Sequence, residues 1–398
     1  MVKGREIKEG VYFVGAIDWD RRLFDELIPL PDGTSYNSYL IRGSKQTALI
    51  DSVYPPRENE LIEHLKELNV EKIDYIIANH AEGDHSGAIP TLLKIYEEAK
   101  VVTNQKCKEM LVNFYHIPEE KFLIITDNET ISLGDKTLQF IMAPWVHWPE
   151  TMFTYLKEEK ILFTCDLFGS HIATSDIFPV DESKVLESAK RYYAEIMMPF
   201  RENIKKHLQK INTLDIEIIA PSHGVVYNNP SFILNAYRDW TSDNVKNEVI
   251  IPYVSMYGST FKMVEYLTDK LSEKGIKVKP FNIIKSDIGE FTMALVDACT
   301  CVVGSPTVLT GIHPAILLPL SLMNVLRPKL KFFSLIGSYG WGGRIEEQVK
   351  GFLTNLKAEY LGSVLVKGEP VDRDFKNLDA LTNKIYEKHR ELGLLDKI

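Results

Sequence analysis

The segment from Ile76 to Ala88, IIANHAEGDHSGA, decides how the rest of the chain is interpreted. An apolar run at 76–78 is followed by a polar loop whose potential metal ligands are His80, Glu82, Asp84 and His85. A loop after a buried strand can aim several short side chains at one point, and imidazole with carboxylate suits iron, zinc or manganese. A polar loop with a hydrogen-bonded histidine is the alternative, so this segment alone leaves metal binding open.

Three later apolar strands also end in residues that bind metals. His147 follows a predicted strand ending at Met142, Asp166 ends the run ILFTCD, and His223 follows the run IEIIA. A lone histidine at a strand end is more often structural. Because four separate strand ends deliver histidine or a carboxylate, the sequence predicts a metal site.

The rhythm of the sequence changes near residue 246. Residues 1–246 show many short strands and several helices, whereas residues 247–398 alternate regularly between strand and helix. Five strands with crossover helices predict a doubly wound parallel sheet in the second part. We therefore predict two domains, 1–246 and 247–398, joined at the polar segment 240–248.

The second predicted domain carries a loop suited to an anion. The stretch YVSMYGST at 253–260 follows an apolar strand, opens a helix and offers hydroxyls beside Gly258. Backbone N–H groups at a helix N-terminus favour phosphate, and the absence of a P-loop lysine disfavours a nucleoside triphosphate. Two further loops, GSPTVLTG at 304–311 and GSYGWGG at 337–343, follow later strands. Loops at successive strand ends are typical of a ligand site in such a sheet.

Composition excludes several classes of protein. The net charge is −9 without a basic stripe, which argues against nucleic-acid binding. The N-terminus has no apolar signal region. The uncharged segment 298–326 is interrupted by glycines and prolines, so we expect a buried strand, a loop and a helix rather than a membrane span. None of the four cysteines forms a C-x-x-C pair, so neither a zinc ribbon nor a rubredoxin-type site fits, and we expect reduced thiols in the cytoplasm.

The ligand pattern resembles the metallo-β-lactamase fold, an αββα sandwich with metals at one edge. Hydrolases of that fold carry His-x-His-x-Asp-His, but this chain has Glu82 in place of the second histidine. That oxygen donor favours iron over zinc. With its second domain included, the chain resembles the flavodiiron proteins, or A-type flavoproteins, over essentially its full length.

This resemblance implies roles for the candidate ligands. One iron is held by His80, Glu82 and His147, the other by Asp84, His85 and His223, and both by Asp166. For His85 the alternative is a position behind the ligands. The resemblance also suggests pocket roles for His171 and Tyr193, although a structural loop histidine and a core tyrosine remain open alternatives.

The resemblance further assigns FMN to the second domain. The implied phosphate-binding residues are Ser255, Met256, Gly258, Ser259 and Thr260. Pro306 and Thr307 would line the ribityl side. The isoalloxazine ring would be held by Ser338, Tyr339, Gly340, Trp341 and Gly342.

A flavodiiron protein is expected to pass electrons from FMN to the iron pair, and to reduce dioxygen to water or nitric oxide to nitrous oxide. The resemblance implies a head-to-tail homodimer or a homotetramer, with rubredoxin or a reduced deazaflavin as external donor. A zinc-dependent hydrolase with a flavin sensor domain is the main alternative, and an iron-free electron carrier is a third.

Overall fold

The computed structural model describes residues 4–395. Contacts divide the chain into two compact units, Met1–Thr241 and Ser242–Ile398. The boundary predicted after residue 246 lies at the start of a strand, Lys246–Tyr253.

The first unit contains two main sheets and two small hairpin-like pairs. Its strands are β1 (Arg5–Lys8), β2 (Val11–Phe13), β3 (Ala16–Asp18), β4 (Leu23–Phe24), β5 (Ile28–Pro29), β6 (Thr34–Tyr36), β7 (Tyr39–Arg42), β8 (Thr47–Ile50), β9 (Tyr75–Ile77), β10 (Lys100–Thr103), β11 (Phe122–Ile124), β12 (Thr130–Ser132), β13 (Thr137–Met142), β14 (Met152–Leu156), β15 (Ile161–Phe163) and β16 (Ile218–Ala220). Seven strands form one sheet, in the order β1-β2-β7-β8-β9-β10-β11, and five form the other, from β12 to β16 in sequence order.

The helices of the first unit are α1 (Glu58–Glu67), α2 (Gly83–Ser86), α3 (Ile89–Ile95), α4 (Gln105–Tyr115), α5 (Glu182–Tyr192), α6 (Arg201–Ile211) and α7 (Pro230–Thr241). Asparagine and aspartate begin two of them: the side chain of Asn104 accepts from Cys107 N–H, and that of Asp181 accepts from Lys184 N–H. These caps satisfy N–H groups that lack a partner within a helix.

Two apolar layers give the first unit its sandwich architecture. One layer lies between the sheets, where Ile50 and Ile77 of the first sheet pack in the same cluster as Phe140 and Phe163 of the second. The other joins the outer face of the first sheet to α1, α3 and α4. The predicted αββα sandwich is therefore confirmed.

The second unit is a parallel sheet with helices. Its strands are β17 (Lys246–Tyr253), β18 (Lys277–Asn282), β19 (Ala298–Val308), β20 (Gly311–Ile312), β21 (Phe332–Tyr339) and β22 (Glu359–Lys367). The sheet order is β18-β17-β19-β21-β22, all parallel, with β20 antiparallel to the end of β19. This is the strand order of flavodoxin-like folds, so the predicted doubly wound sheet is confirmed.

The helices of this unit are α8 (Ser259–Ser272), α9 (Ile288–Leu295), α10 (Leu317–Leu326), α11 (Ile345–Phe352) and α12 (Asp372–Glu391). The uncharged segment 298–326 forms β19, β20 and α10, as predicted. Within residues 4–395, no helix combines the length and the apolar character needed to cross a bilayer.

Candidate diiron centre and flavin cleft

The seven predicted ligands of the first unit converge at one edge of the sandwich. Strands β9, β13, β15 and β16 each end shortly before one or more of them. Because β15 and β16 are parallel, with Phe163 opposite Ala220, they deliver Asp166 and His223 to the same edge. Two groups result, each with its ligand atoms within 4.8 Å of one another: His80, Glu82, His147 and Asp166, and Asp84, His85 and His223.

In the first group, His147 Nε2 lies 2.9 Å from Glu82 Oε2 and 3.0 Å from Asp166 Oδ2. His80 Nε2 lies 3.2 Å from the same Asp166 oxygen. One nitrogen from each of two imidazoles thus faces one oxygen from each of two carboxylates, which is the arrangement needed to surround a cation.

In the second group, Asp84 Oδ2 lies 3.2 Å from His85 Nε2 and 3.3 Å from His223 Nε2. The other Asp166 oxygen, Oδ1, faces this group, at 3.1 Å from His85 Nε2 and 3.6 Å from His223 Nε2. Asp166 therefore presents one carboxylate oxygen to each group.

Several atoms at the centre are buried without a hydrogen-bond partner among the described residues. They include His80 Nε2, both carboxylate oxygens of Asp84 and Asp166 Oδ1. Burying unpaired polar atoms is costly, and a coordinated metal satisfies them. Oxygen and imidazole donors together suit iron, so the residues present fit the pair of ions expected from the sequence.

The electrostatics of the site also favour cations. Burial opposes charge on the histidines, but neighbouring carboxylates raise the pKa of His147 to about 9 and that of His85 to about 10. For Asp166, burial is outweighed by the surrounding histidines, which hold its pKa well below the usual value. The three carboxylates therefore keep their negative charge and attract positive charge into the site.

The segment 80–85 carries four ligands, two on the loop after β9 and two on the short helix α2, where a loop was expected throughout. This segment is held by residues that sequence reasoning missed. Buried Asp51 accepts from the backbone N–H and the side-chain amide of Asn79, both at 2.8 Å, directly before His80. Buried Glu150 accepts from Ala81 N–H at 3.0 Å. Nothing local in the sequence marks these two acids, because their partners lie 28 and 69 positions away.

The histidines differ in what holds their second ring nitrogen. His223 Nδ1 donates to the Ser35 carbonyl at 2.6 Å, and His80 Nδ1 lies 3.0 Å from Cys165 Sγ. His85 Nδ1 is buried without a partner in the described part of the chain. Ligating histidines usually have such a partner, so His85 is less firmly oriented than His80 or His223.

His171 lies beside the second group. Its ring centroid is 4.8 Å from that of His223, and its Nδ1 is 2.9 Å from Thr34 Oγ1. Burial and neighbouring His223 hold its pKa well below the usual value, so the ring is neutral. Its Nε2 is buried without a partner among residues 4–395.

The structure places the predicted pocket tyrosine elsewhere. Tyr193 donates from its hydroxyl to Trp240 O at 3.2 Å, and its ring packs against Tyr237 and Trp240. Its neighbour Tyr192 lies 4.8 Å from His171 and 5.7 Å from His223, measured between ring centroids. Adjacent helical residues point in directions about 100° apart, so a one-residue error in the helix phase accounts for the difference.

The second unit contains a cleft of about 330 Å³ at the predicted flavin site. It is lined by Ser255, Met256, Tyr257, Ser259, Thr260, Pro306, Thr307, Ser338, Tyr339, Gly340, Trp341 and Gly368. Ten of these were predicted; Tyr257 and Gly368 were not. The other two predicted residues, Gly258 and Gly342, are not among the lining residues but have left-handed backbone angles, with φ of +93° and +132°.

Hydroxyl groups organise the cleft. Ser255 Oγ accepts from Phe261 N–H at 3.1 Å, which closes the loop over the start of α8. Thr260 Oγ1 lies 3.1 Å from Ser338 Oγ and so joins the loop at 253–260 to the loop at 337–343. Free N–H groups at the start of a helix favour a phosphate there. The fit of the cleft to FMN rests on this phosphate cradle, formed by the loop at 253–260 and the start of α8.

Comparison with known proteins places the chain in a family. A family model described as "ODP family beta lactamase" matches residues 34–224, which include all seven candidate ligands. A protein named nitric oxide reductase from Moorella thermoacetica is 40% identical over 384 residues, covering 93% of this chain and 96% of that protein. The solved structure of rubredoxin oxygen:oxidoreductase from Desulfovibrio gigas is 29% identical, with a TM-score of 0.94 over 98% of this chain and 99% of that one. The flavodiiron protein from Giardia intestinalis is also 29% identical, with a TM-score of 0.92 over 100% of this chain and 98% of that one.

The chain belongs to the flavodiiron protein family. The resemblance inferred from the ligand pattern is thereby confirmed, and the relatives named above carry oxidoreductase names rather than hydrolase names. As a flavodiiron protein, the chain is an oxidoreductase, and FMN with a diiron centre is the cofactor set that the family implies.

Proposed function

We propose that this flavodiiron protein reduces dioxygen to water or nitric oxide to nitrous oxide, with electrons relayed through FMN. The carrying observation is that the two oxygens of Asp166 each face a separate group of buried ligands. A carboxylate so placed suits two irons that bind one small molecule together. Relatives named for nitric oxide and for oxygen support this choice of substrate.

In this proposal His80, Glu82 and His147 hold one iron, Asp84, His85 and His223 the other, and Asp166 both. When bound, the iron pair supplies Lewis-acid binding and electrons. The protein holds three carboxylates at the site, which offset much of the charge of two ferrous ions. The aromatic rings of Phe24 and Tyr192 lie within 5 Å of the His171 ring and exclude bulk water from that side.

His171 is proposed to manage protons beside the metals. Its neutral ring has one nitrogen near Thr34 Oγ1 and the other buried without a partner in the described chain. A neutral imidazole carries one N–H donor and one acceptor nitrogen, so the His171 ring can hold a proton at one nitrogen beside the second group. Tyr192, whose ring centroid lies 4.8 Å from that of His171, takes the pocket role predicted for Tyr193.

For the second unit we propose that FMN occupies the cleft, with its phosphate at Ser255, Met256, Gly258, Ser259 and Thr260. Pro306 and Thr307 line the ribityl side, and the loop 338–342 borders the ring. Bound FMN supplies one-electron transfer. Tyr257, Leu309 and Trp341 are exposed by 92%, 89% and 79%, which leaves apolar surface around the cleft for another protein to cover.

We propose that a second copy of the chain covers this surface in a head-to-tail dimer or a tetramer, so that each flavin serves the partner's irons. The donor is rubredoxin or a reduced deazaflavin, and the protein acts in the cytoplasm. Mixed dimers test the arrangement, combining a chain without iron and a chain without FMN. Transfer between subunits makes the mixed dimer active although both parents are inactive, whereas transfer within one chain leaves it inactive.

The function is tested by metal and flavin analysis together with gas consumption. We expect two irons and one FMN per chain, and turnover of dioxygen or nitric oxide with reduced rubredoxin or reduced deazaflavin. Two zincs and hydrolytic activity would instead favour the hydrolase. Flavin without iron or gas turnover would favour an electron carrier.

A further inference from the structure

Cys165 stands between two candidate ligands. It lies two positions after the end of β15 and one position before Asp166, and its Sγ lies 3.0 Å from His80 Nδ1. Both side chains are buried, with exposures of 1% for Cys165 and 0% for His80. The thiol therefore meets the ring nitrogen without competition from solvent.

The direction of this hydrogen bond follows from the other side of the ring. His80 Nε2 faces Glu82 Oε2 at 3.4 Å and Asp166 Oδ2 at 3.2 Å, and it has no hydrogen-bond partner in the described part of the chain. An imidazole that gives its Nε2 lone pair to a metal carries its proton on Nδ1. That N–H then donates to the sulfur of Cys165.

We propose that Cys165 is a positioning residue, whose sulfur accepts the Nδ1–H of His80 and so holds the ring and its tautomer with Nε2 directed at iron. This inference rests on the proposed function only in taking His80 as an iron ligand. It assigns to a cysteine the role that a carbonyl or a carboxylate plays behind most ligating histidines.

The backbone keeps the sulfur in place. Cys165 has a φ of +52°, in the left-handed region that residues other than glycine and asparagine seldom adopt. Its carbonyl accepts from Ser222 N–H at 2.8 Å, which ties this strained residue to the segment before His223. Such strain persists where the surroundings over-determine it, and here it directs Cys165 at one ligand while Asp166 enters the site.

The two metal positions therefore receive differently supported imidazoles. His223 Nδ1 donates to the Ser35 carbonyl at 2.6 Å, a strong acceptor, whereas His80 donates to a soft and weak one. A weaker acceptor leaves less electron density on the ring and stabilises ferric iron less. Removing the acceptor altogether is expected to favour the ferrous state further and raise the reduction potential.

The test compares Cys165→Ala and Cys165→Ser with the matched pair Cys107→Ala and Cys107→Ser. Cys107 is equally buried, but its Sγ lies 4.0 Å from Ala78 O and makes no hydrogen bond to a candidate ligand among the described residues. Metal-free chains are titrated anaerobically with ferrous iron against a competing chelator. We expect Cys165→Ala to bind iron about 10- to 100-fold more weakly than Cys107→Ala, and Cys165→Ser to recover most of that loss because its oxygen accepts.

Potentiometry of the iron pair is the second readout. Cys165→Ala is expected to raise the potential, and Cys165→Ser, whose oxygen accepts more strongly than sulfur, to lower it by a smaller amount. Both Cys107 variants are expected to leave it unchanged. If Cys165→Ala does not fold, the serine pair decides, because an oxygen in place of sulfur must still shift the potential at position 165 alone. Affinity and potential equal to those of the Cys107 variants would overturn the inference, while an iron-free parent chain would overturn the proposed function instead.

Discussion

The two candidate sites are built in opposite ways. The diiron centre is made of side chains, most of them fully buried, which reach one another from four strand ends. The flavin cleft is open, made largely of loop backbone and small hydroxyls, with Tyr257 and Trp341 almost fully exposed. A buried cluster of charged side chains is already arranged for its ligand before the ligand binds. An open loop site depends more on contacts that the ligand itself supplies.

Replacing Asp166 with alanine gives the largest effect expected for either site. The variant removes the one carboxylate that faces both groups, so we expect iron content near zero and no gas turnover, while FMN stays bound. Iron analysis and flavin absorbance measure the two sites separately. Asp215→Ala is the control, because Asp215 is exposed and pairs only with Lys160 among the interactions of its side chain described here. Full turnover in Asp166→Ala would contradict the proposed centre.

The converse change is Ser259→Asp, at the first residue of α8. A carboxylate there suits the helix N-terminus and so preserves the fold, but it repels a phosphate. Two like charges about 4 Å apart near a protein surface cost about 4 kcal/mol, so we expect FMN affinity to fall by more than about 100-fold. Ser259→Ala is the matched control and should lose far less. Unchanged FMN binding in Ser259→Asp would place the phosphate elsewhere, and iron content should be normal in both variants.

The contrast between side-chain ligands and loop backbone also explains how much of each site the sequence predicted. Histidines and carboxylates at strand ends are visible in the sequence, and the seven predicted side chains do converge. Tyr192 was missed because a helix phase is hard to read to one residue. Asp51, Glu150 and Thr34 were missed because each acts on a residue distant in the chain. Gly368 carries no side-chain chemistry, and its left-handed φ of +78° only becomes visible in the folded backbone.

Thr260→Val is a milder test of the flavin cleft. Valine keeps the shape of this buried side chain but removes the hydroxyl that lies 3.1 Å from Ser338 Oγ. In the proposed site this hydroxyl also donates to the FMN phosphate. Losing a hydrogen bond to a charged group costs about 1.5–3 kcal/mol, so FMN is expected to bind roughly 10- to 100-fold more weakly. Fluorescence titration of the flavin-free chain measures this. Ser338→Ala removes the other hydroxyl of the same contact and is measured in parallel. Equal flavin affinity in the parent chain and Thr260→Val would argue against this part of the phosphate cradle.

The two units also differ in how their surroundings shift the pKa values of buried histidines. Carboxylates raise the pKa of His85 and His147 in the first unit, but burial alone lowers the pKa of His389 in the second to about 4. His389 is held neutral between two neighbours: its Nδ1 donates to Asn247 Oδ1 at 2.8 Å, and its Nε2 accepts from Thr300 Oγ1 at 2.8 Å. The buried neutral ring thus links α12 to β17 and β19.

The stability of the second unit should consequently fall in mild acid. Below about pH 6.5 the unfolded chain protonates His389 while the folded chain does not until about pH 4, so protons favour the unfolded state across that interval. At 1.36 kcal/mol per pKa unit, the loss reaches about 3 kcal/mol by pH 4. Thermal unfolding of the second unit, monitored by the release of FMN, should depend less steeply on pH in His389→Gln than in the parent chain. His313→Asn, which keeps the capping acceptor for Ala315 N–H, should retain the slope of the parent. Equal slopes in all three chains would mean that the unit draws its acid sensitivity from other groups.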